Sequence, residues 1–235
     1  MKIQSEVKKA VCLLSGGLDS TTALYAAREQ GFSPIALSID YGQLHAKELT
    51  FAKRTTGLLN IPHDILSFSM PWGGSSLLDP MISMPLGRKE SEMQKGIPST
   101  YVPARNSVFL SLAASCAEAR EAGTIFIGAN VLDYSGYPDC RPEYFEAFEQ
   151  MLEKGTKAGA EGRKIKIEAP LLNLNKKQIV ELGHRLGVPF DMTWSCYQGG
   201  QAPCGQCDSC LLRAKGFQEA GIQDPLATHA VPADR

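Results

Sequence analysis

The sequence has no apolar run that approaches the length of a bilayer span, and residues 1–6 lack the apolar core of a secretory signal peptide. We therefore expect no membrane contact and a cytoplasmic location. The chain also contains no internal repeat and no low-complexity tract. Its 235 residues are enough for one large domain, or for one domain with a small appendage.

An excess of positive charge is missing as well, because 24 Lys and Arg residues face 25 Asp and Glu residues and leave a formal net charge of −1. Since no whole-molecule field attracts nucleic acid, we expect no stable nucleic-acid partner. Hydrophobic residues make up 43% of the chain and charged residues 21%, which is typical of ordinary globular proteins.

The stretch from residue 11 to residue 22, VCLLSGGLDSTT, organises the N-terminal part of the chain. Residues 11–14 have the length and the β-branched start of a buried strand, the strand ends at the glycine pair, and a helical pattern runs to Gly31. Adjacent glycines permit positive φ and a close approach of the backbone to a ligand. The pattern predicts a strand, a tight turn and a helix.

Such a turn directs unpaired amides and a helix N-terminus at one point, which favours anions. The hydroxyls of Ser15, Ser20 and Thr21 add donors for phosphate oxygens. No Lys follows the glycines, as a Walker loop requires, and no third glycine completes a dinucleotide fingerprint. The stretch therefore predicts a phosphate site of a different kind, whereas the alternative is a tight turn without a ligand.

Further strand patterns alternate with helical patterns along the chain. The strands are predicted at 33–40, 63–68, 124–130 and 164–171, and the helices at 44–59, 108–122, 144–157 and 175–186. This alternation predicts an α/β fold with an open, doubly wound, mainly parallel five-stranded sheet. Lys and Ile alternate in the last strand, so one of its faces should be exposed.

Residues 70–100 interrupt the alternation with four prolines and four glycines. A long stretch without periodicity inside a compact domain is typical of a lid or a functional loop, and we expect it to be disordered without a ligand. Its Met and Trp residues suggest a partner surface, and we expect a homodimer.

The loop from 131 to 143 is dense in aromatic and hydrogen-bonding side chains. Rings for stacking and carboxylates for N–H groups suit a flat polar heterocycle at the carboxyl edge of the sheet. Asp133 and Asp139 are alternatively turn residues. Cys140 is a weak candidate for a nucleophile, because Arg141 is its only adjacent cation.

Four of the seven cysteines fall within fifteen residues, as Cys196, Cys204, Cys207 and Cys210, with the spacing C-x7-C-x2-C-x2-C. In a reducing compartment such density favours a metal over disulfides. Four thiolates without an open position predict one structural zinc ion per chain. An iron–sulfur cluster is the competing interpretation.

The hexapeptide S-G-G-L-D-S at 15–20 resembles the pyrophosphate loop of PP-loop ATPases, which split ATP between the α and β phosphates and adenylate a substrate oxygen. P-A-R-N at 103–106 resembles a second element of that family. With D-Y-S-G-Y-P-D-C-R-P-E at 133–143 and the cysteine pattern, the chain resembles the 7-cyano-7-deazaguanine synthase family of the queuosine precursor pathway. The similarity covers nearly the whole chain in matching order. Leu18 departs from the Gln of many members, at a position whose side chain need not touch phosphate.

The resemblance implies a fold like that of the adenine nucleotide alpha hydrolases, with a nucleotide-binding domain at 1–190 and a zinc-binding segment at 191–235 packed on it. It implies conversion of 7-carboxy-7-deazaguanine and ammonia to 7-cyano-7-deazaguanine through adenylated carboxylate and amide intermediates, with ATP and magnesium. Because no glutaminase segment is present, ammonia is expected to arrive free.

The resemblance also implies the site residues. Asp19, Ser20 and Arg105 are the expected catalytic residues, with Asp19 beside magnesium, since a hard cation turns the repulsion between carboxylate and phosphate into attraction. The expected ATP contacts are Leu14, Ser15, Gly16, Gly17, Leu18, Asp19, Ser20, Thr21, Thr22, Ile39, Asp40, Arg105 and Asn106. The expected substrate contacts are Asp133, Tyr134, Asp139 and Arg141. Helix capping is the alternative role for Asp19, Asp40 and Asn106, and simple solvation is the alternative for Arg105.

Two rival functions remain at this point. A PP-loop tRNA thiolase or lysidine-type synthetase usually needs an RNA-binding appendage or a basic surface, for which 235 residues at a net charge of −1 leave little room. A zinc-ribbon binding module with an inactive nucleotide loop would use aromatic and basic residues around the metal, and the stretch 199–203, GGQAP, supplies neither.

Overall fold

The computed structural model of the protein describes residues 7–93, 95–131 and 137–227. Five parallel strands form one sheet in the order β3-β2-β1-β4-β5. Their bounds are β1 Lys9–Leu13, β2 Ser33–Asp40, β3 His63–Ser67, β4 Thr124–Phe126 and β5 Lys166–Glu168. The predicted five-stranded parallel sheet is confirmed, although β4 and β5 are shorter than the sequence pattern indicated.

The helices of the described residues connect and flank these strands. Their bounds are α1 Leu18–Glu29, α2 Lys47–Leu59, α3 Glu90–Met93, α4 Arg105–Arg120, α5 Pro142–Gly155, α6 Lys157–Ala160, α7 Lys176–Arg185 and α8 Asp208–Ala220. Short 3-10 turns occupy Pro138–Cys140 and Phe190–Met192. Within the described ranges, no helix is both long and apolar enough to cross a lipid bilayer.

Alternate residues of β1 pack on opposite faces of the sheet, as the two-residue period of a strand requires. Ala10 and Cys12 pack with α1 and α2, whereas Val11 and Leu13 pack with α4 and α5. Burial on both faces explains why the strand is a continuous apolar run. The fold is therefore doubly wound, as predicted.

The strand β5 lies at one edge of the sheet and is half exposed. Lys166 and Glu168 are exposed, and Ile167 between them is partly buried. The prediction of one exposed face from the alternating Lys and Ile residues is confirmed.

Residues 70–93 and 95–100 follow a defined path, so the expectation of disorder without a ligand was wrong. The N–H of Gly87 donates to the carbonyl of Gln206 at 2.8 Å, Arg88 forms a salt bridge with Asp208, and Met93 is buried. Proline and glycine prevented regular structure here, but backbone hydrogen bonds and buried side chains fix an irregular segment equally well.

The last helix packs along α7 and joins the core of the sheet domain. Phe217 of α8 shares an apolar cluster with Leu18 of α1 and Ile179 of α7. The described part of the C-terminal segment is therefore held by a common core, and a domain boundary between residues 190 and 191 stays a prediction.

Candidate active site at the carboxyl edge of the sheet

The turn between β1 and α1 is closed by its own serine side chains. The Ser15 and Ser20 hydroxyls lie 2.9 Å apart, and the Gly17 N–H donates to the Ser15 hydroxyl at 3.1 Å. Gly17 is the N-cap of α1, and no side chain caps this helix end. The helix N-terminus therefore offers backbone amides to an anion, and capping by Asp19 is not its role.

Glycine is required at position 16 for two reasons. Its φ is +93°, in the region that favours glycine, and a Cβ placed there would lie 2.1 Å from the carbonyl oxygen of Glu48 and 2.6 Å from the amide nitrogen of Ala52. The start of α2 therefore packs directly against the loop between β1 and α1. Trp194 contributes from the C-terminal segment, because its main-chain N–H donates to the Gly16 carbonyl at 2.9 Å.

A cavity of about 250 Å³ lies beside this turn, at the carboxyl ends of β1, β2 and β4. Ligands of open α/β sheets bind at this kind of crevice, where the chain turns to opposite sides of the sheet. Most of the predicted ATP contacts line the cavity, namely Leu14, Ser15, Gly17, Leu18, Asp19, Ser20, Ile39, Arg105 and Asn106. Gly16 does not line the cavity, and its main chain contacts α2 and Trp194 instead.

Thr21, Thr22 and Asp40 do not line the cavity, and their assignment to ATP stays a prediction. Both threonines are fully buried within α1, and the Thr22 hydroxyl donates to the carbonyl of Leu18 at 2.8 Å. They are the fourth and fifth residues of α1, where the helical rotation turns their side chains away from the cavity. The Asp40 carboxylate accepts from the Gly42 N–H at 3.4 Å and so stabilises the turn after β2.

Asp19 is joined to a residue that sequence reasoning missed. The Lys176 ammonium lies 2.9 and 2.8 Å from the two Asp19 carboxylate oxygens, and both side chains line the cavity. Lys176 is the first residue of α7 and follows the helix cap Asn175. Lys176 stands at the start of the helix that follows β5, at the carboxyl edge of the sheet. That position is the sequence feature from which its place in the site could have been predicted. The pair puts a cation next to the phosphate turn.

Arg105 begins α4 and faces the same cavity. It lies beside Tyr41, with which it shares a hydrogen bond, and beside Tyr137. A solvated Arg105, the alternative interpretation, is therefore not what the structure contains. Arg213 of α8 also lines the cavity, but Asp224 holds its guanidinium at 2.8 and 2.9 Å.

Asn106 does not cap α4, since that position belongs to Ala104. Its side-chain amide donates to the carbonyl of Asp139 and to the sulfur of Cys140, at 3.1 and 3.3 Å. The Asn106 N–H in turn donates to the Asp139 carboxylate at 3.1 Å. Asn106 and Asp139 thus fix the 3-10 turn against the start of α4.

None of the four predicted substrate residues is among the described residues that line the cavity. Asp133 and Tyr134 lie outside the described residues. Asp139 is buried in its contact with α4, Arg141 is exposed, and neither lines the cavity, so their assignment to substrate stays a prediction. Among the described residues of this loop, Tyr137 and Cys140 lie on the wall of the cavity.

Cys140 lies on the wall of the cavity, in surroundings that disfavour its thiolate form. Burial raises its pKa to about 11, with a smaller contribution from Asp139. Since the thiolate is the nucleophile, this environment disfavours covalent catalysis.

Glu48 is a second cavity residue that sequence reasoning missed. Desolvation raises the pKa of its carboxyl group to about 7, although the nearby Arg105 opposes the shift. It follows the first residue of α2, a few residues beyond the carboxyl end of β2. That position at the sheet edge was the signal available in the sequence.

The four C-terminal cysteines converge on one point. All four sulfur atoms lie within 4.8 Å of one another, and the Cys204 and Cys210 sulfurs are 3.9 Å apart. Around an ion with Zn–S bonds of about 2.3 Å, tetrahedral sulfurs lie about 3.8 Å apart. Backbone amides of Gln198 and Cys204 donate to the Cys196 sulfur at 3.4 and 3.3 Å, which favours a thiolate. The cluster therefore fits a single metal ion.

The chain is similar in sequence to known proteins of one family. A family model described as queuosine biosynthesis protein QueC matches residues 9–221. The 7-cyano-7-deazaguanine synthase of Trichodesmium erythraeum is 52% identical over 220 residues, which are 93% of this chain and 99% of that protein. A protein of the same name from Anaeromyxobacter dehalogenans is 52% identical over 228 residues, or 95% and 97% of the two chains. Among solved structures, a U34-tRNA thiolase from Methanococcus maripaludis with a 4Fe-4S cluster has a TM-score of 0.49 at 15% identity, over 93% of this chain and 69% of that one.

Proposed function

This chain belongs to the QueC family of queuosine biosynthesis proteins, and from that premise we propose that it converts 7-carboxy-7-deazaguanine and ammonia to 7-cyano-7-deazaguanine with ATP. One observation carries the proposal at the level of the site. A single cavity brings together the uncapped N-terminus of α1, the pair of Asp19 and Lys176, and Arg105. This set of charges suits the splitting of a triphosphate beside a bound acid.

We assign the pyrophosphate to the turn at 15–17 and the first turn of α1. The amides of the first turn of α1, which no side chain caps, are donors that the hydrogen-bonded turn already holds in place, and the Ser15 and Ser20 hydroxyls lie beside them. Arg105 supplies a permanent positive charge with several donors in one plane. Preorganised donors of this kind stabilise the charge that develops on the leaving pyrophosphate.

Asp19 is our candidate for the magnesium ligand, and Lys176 is a second cation for the phosphates. Both carboxylate oxygens of Asp19 contact the Lys176 ammonium, so this side chain is held in place at the wall of the cavity. Magnesium bound with ATP supplies a hard cation that neutralises charge on the phosphate oxygens.

The chemistry explains why ATP is used. A carboxylate oxygen is a poor leaving group, and transfer of AMP onto it releases pyrophosphate and gives an acyl adenylate. Ammonia then displaces AMP and forms the amide. Adenylation of the amide oxygen, followed by loss of AMP, leaves the nitrile, so that one site performs the same activation twice.

We propose zinc as the ion of the four-cysteine cluster, with a structural role. Four thiolates leave no open coordination position, and the spacing of the sulfurs suits one ion better than a cluster whose iron and sulfide ions take more room. The cysteines would bind the 191–210 segment to α8, next to the Trp194 contact with Gly16.

We also propose that the protein is a homodimer and that it is located in the cytoplasm. Trp72 and Met81 are 66% and 88% exposed, which supports a surface for a second copy and hence a homodimer. Thiols that hold a metal and an ATP-dependent reaction both suit the cytoplasm. Charge balance supports small molecules, without a stable nucleic-acid partner.

The test is pyrophosphate release by the purified protein with ATP, in the presence and absence of 7-carboxy-7-deazaguanine and of ammonium chloride. We expect release that requires the carboxylate, and a nitrile product by mass spectrometry only when ammonia is added. Release that requires tRNA, or formation of ADP instead of AMP, would contradict the proposal.

A further inference from the structure

The proposed reaction removes every proton from its nitrogen atom. Ammonia is mostly ammonium at neutral pH and then carries four protons, whereas the nitrogen of a nitrile carries none. An ammonium ion cannot attack a carbonyl carbon, because its lone pair is occupied by a proton. A site that uses free ammonia therefore gains from a proton acceptor inside the cavity.

Few groups on the described wall can accept a proton at neutral pH. The ionisable groups of the wall are Asp19, Tyr41, Glu48, Arg105, Tyr137, Cys140, Lys176, Tyr197 and Arg213. Burial raises the pKa of Tyr41, Tyr137 and Cys140, so all three stay protonated. The Asp19 carboxylate is already engaged by the Lys176 ammonium at 2.8 Å.

Glu48 is the remaining carboxylate of that wall. Among the described residues, no ion pair within 4 Å and no hydrogen bond engages its carboxylate. Its charged neighbour is Arg105, and Tyr41 lies close enough to feel its charge. A carboxyl group whose pKa is about 7 exchanges protons readily at neutral pH.

The position of Glu48 places it near the reacting centre. Its main-chain carbonyl packs against Gly16, and its carboxyl group belongs to the wall of the same cavity, close enough to Arg105 to feel that charge. The bond to be broken in the acyl adenylate lies next to those phosphates. A residue that recognised the far edge of the heterocycle would lie farther from the turn.

We propose that Glu48 binds the incoming ammonium ion and takes the first proton from it, which makes Glu48 a further catalytic residue and the cavity beside it an ammonium site. This inference rests on the proposed function. One N–H bond of ammonium breaks, and its proton goes to a Glu48 carboxylate oxygen. The freed nitrogen lone pair forms the C–N bond, and the C–O bond to AMP breaks with its electron pair leaving on the phosphate oxygen. A second proton then leaves the nitrogen for solvent and gives the amide.

The experiment compares ammonium with hydroxylamine, which is unprotonated at neutral pH and needs no base to attack the adenylate. In Glu48→Gln, we expect ammonia-dependent amide and nitrile formation to fall by about 100-fold or more, in the range of lost general-base catalysis. Hydroxamate formation from 7-carboxy-7-deazaguanine, ATP and hydroxylamine should fall less than about threefold. Glu48→Asp should recover part of the ammonia-dependent rate. Glu146→Gln, which alters an exposed carboxylate of α5, is the matched control.

The outcomes separate the two proposals. If the wild-type protein forms neither the nitrile with ammonia nor the hydroxamate with hydroxylamine, the proposed function fails and takes this inference with it. If the wild type forms hydroxamate and Glu48→Gln loses both reactions equally, Glu48 serves adenylation or recognition of the heterocycle and the inference is overturned. It is equally overturned if Glu48→Gln keeps both reactions at wild-type rates.

Discussion

Replacement of Gly16 by alanine tests how closely α2 packs on the phosphate turn. The new Cβ would lie 2.1 Å from the Glu48 carbonyl oxygen and 2.6 Å from the Ala52 nitrogen, at a residue whose φ is +93°. A positive φ costs a residue with a Cβ about 1–2 kcal/mol, and overpacking against main-chain atoms costs about 1–3 kcal/mol more. Gly16→Ala should therefore lose about 2–5 kcal/mol, or roughly 4–20 °C in Tm for a chain of this size.

The matched control is Gly31→Ala. Gly31 has a φ of +82°, but a Cβ there would meet nothing within 4 Å, so only the backbone cost of about 1–2 kcal/mol applies. Thermal unfolding of both variants and their Kd for ATP are the measurements. We expect Gly16→Ala to be clearly less stable than Gly31→Ala and to bind ATP more weakly. If the two variants unfold at the same temperature and bind ATP as the wild type does, the packing argument is refuted.

Three further predictions follow from other contacts of the site. Lys176→Met should lower substrate-dependent pyrophosphate release by about 100-fold, because it removes a cation from the phosphates and frees Asp19. A steady-state rate near that of the wild type would contradict the assignment of Lys176 to the phosphates. Cys207→Ser should lose the bound metal, by elemental analysis, and several kcal/mol of stability, whereas full metal content with normal Tm would show that the cluster is not a metal site. The folded protein raises the Glu48 pKa from 4.5 to about 7, so ionisation of this carboxyl group opposes folding. Glu48→Gln should therefore be as stable as the wild type below pH 4.5, where the carboxyl group is protonated in both states. Above pH 7 it should be more stable than the wild type by up to about 3 kcal/mol. Denaturant unfolding between pH 4 and pH 8 measures this difference, and a constant gap between the two proteins would contradict it.

Local sequence patterns were enough to predict the elements that depend only on neighbouring residues. The apolar run of β1, the glycine pair and the helix that follows are determined by neighbouring residues, so strand, turn and helix were all predicted. The sheet followed from the regular alternation of such elements. The four metal-site cysteines were predicted for the same reason, since three of them lie within seven residues.

Contacts between distant residues could not be predicted in this way. Lys176 meets Asp19 across 157 positions, and Glu48 reaches the cavity only because α2 packs on Gly16. Thr21 and Thr22 carry suitable hydroxyls, but the phase of α1 buries them. In the segment from 70 to 100, proline and glycine were taken as signs of disorder, although contacts with Gln206 and Asp208 define its path.

The most direct test of the central claim follows an oxygen isotope. If the cavity adenylates the substrate carboxylate and then the amide, 7-carboxy-7-deazaguanine with both carboxylate oxygens labelled with oxygen-18 should pass one labelled atom to each AMP formed. Mass spectrometry of AMP from the complete reaction measures this transfer. We predict AMP with a single heavy oxygen for both activations, whereas unlabelled AMP would show that water, not the substrate, attacks ATP and would contradict the account.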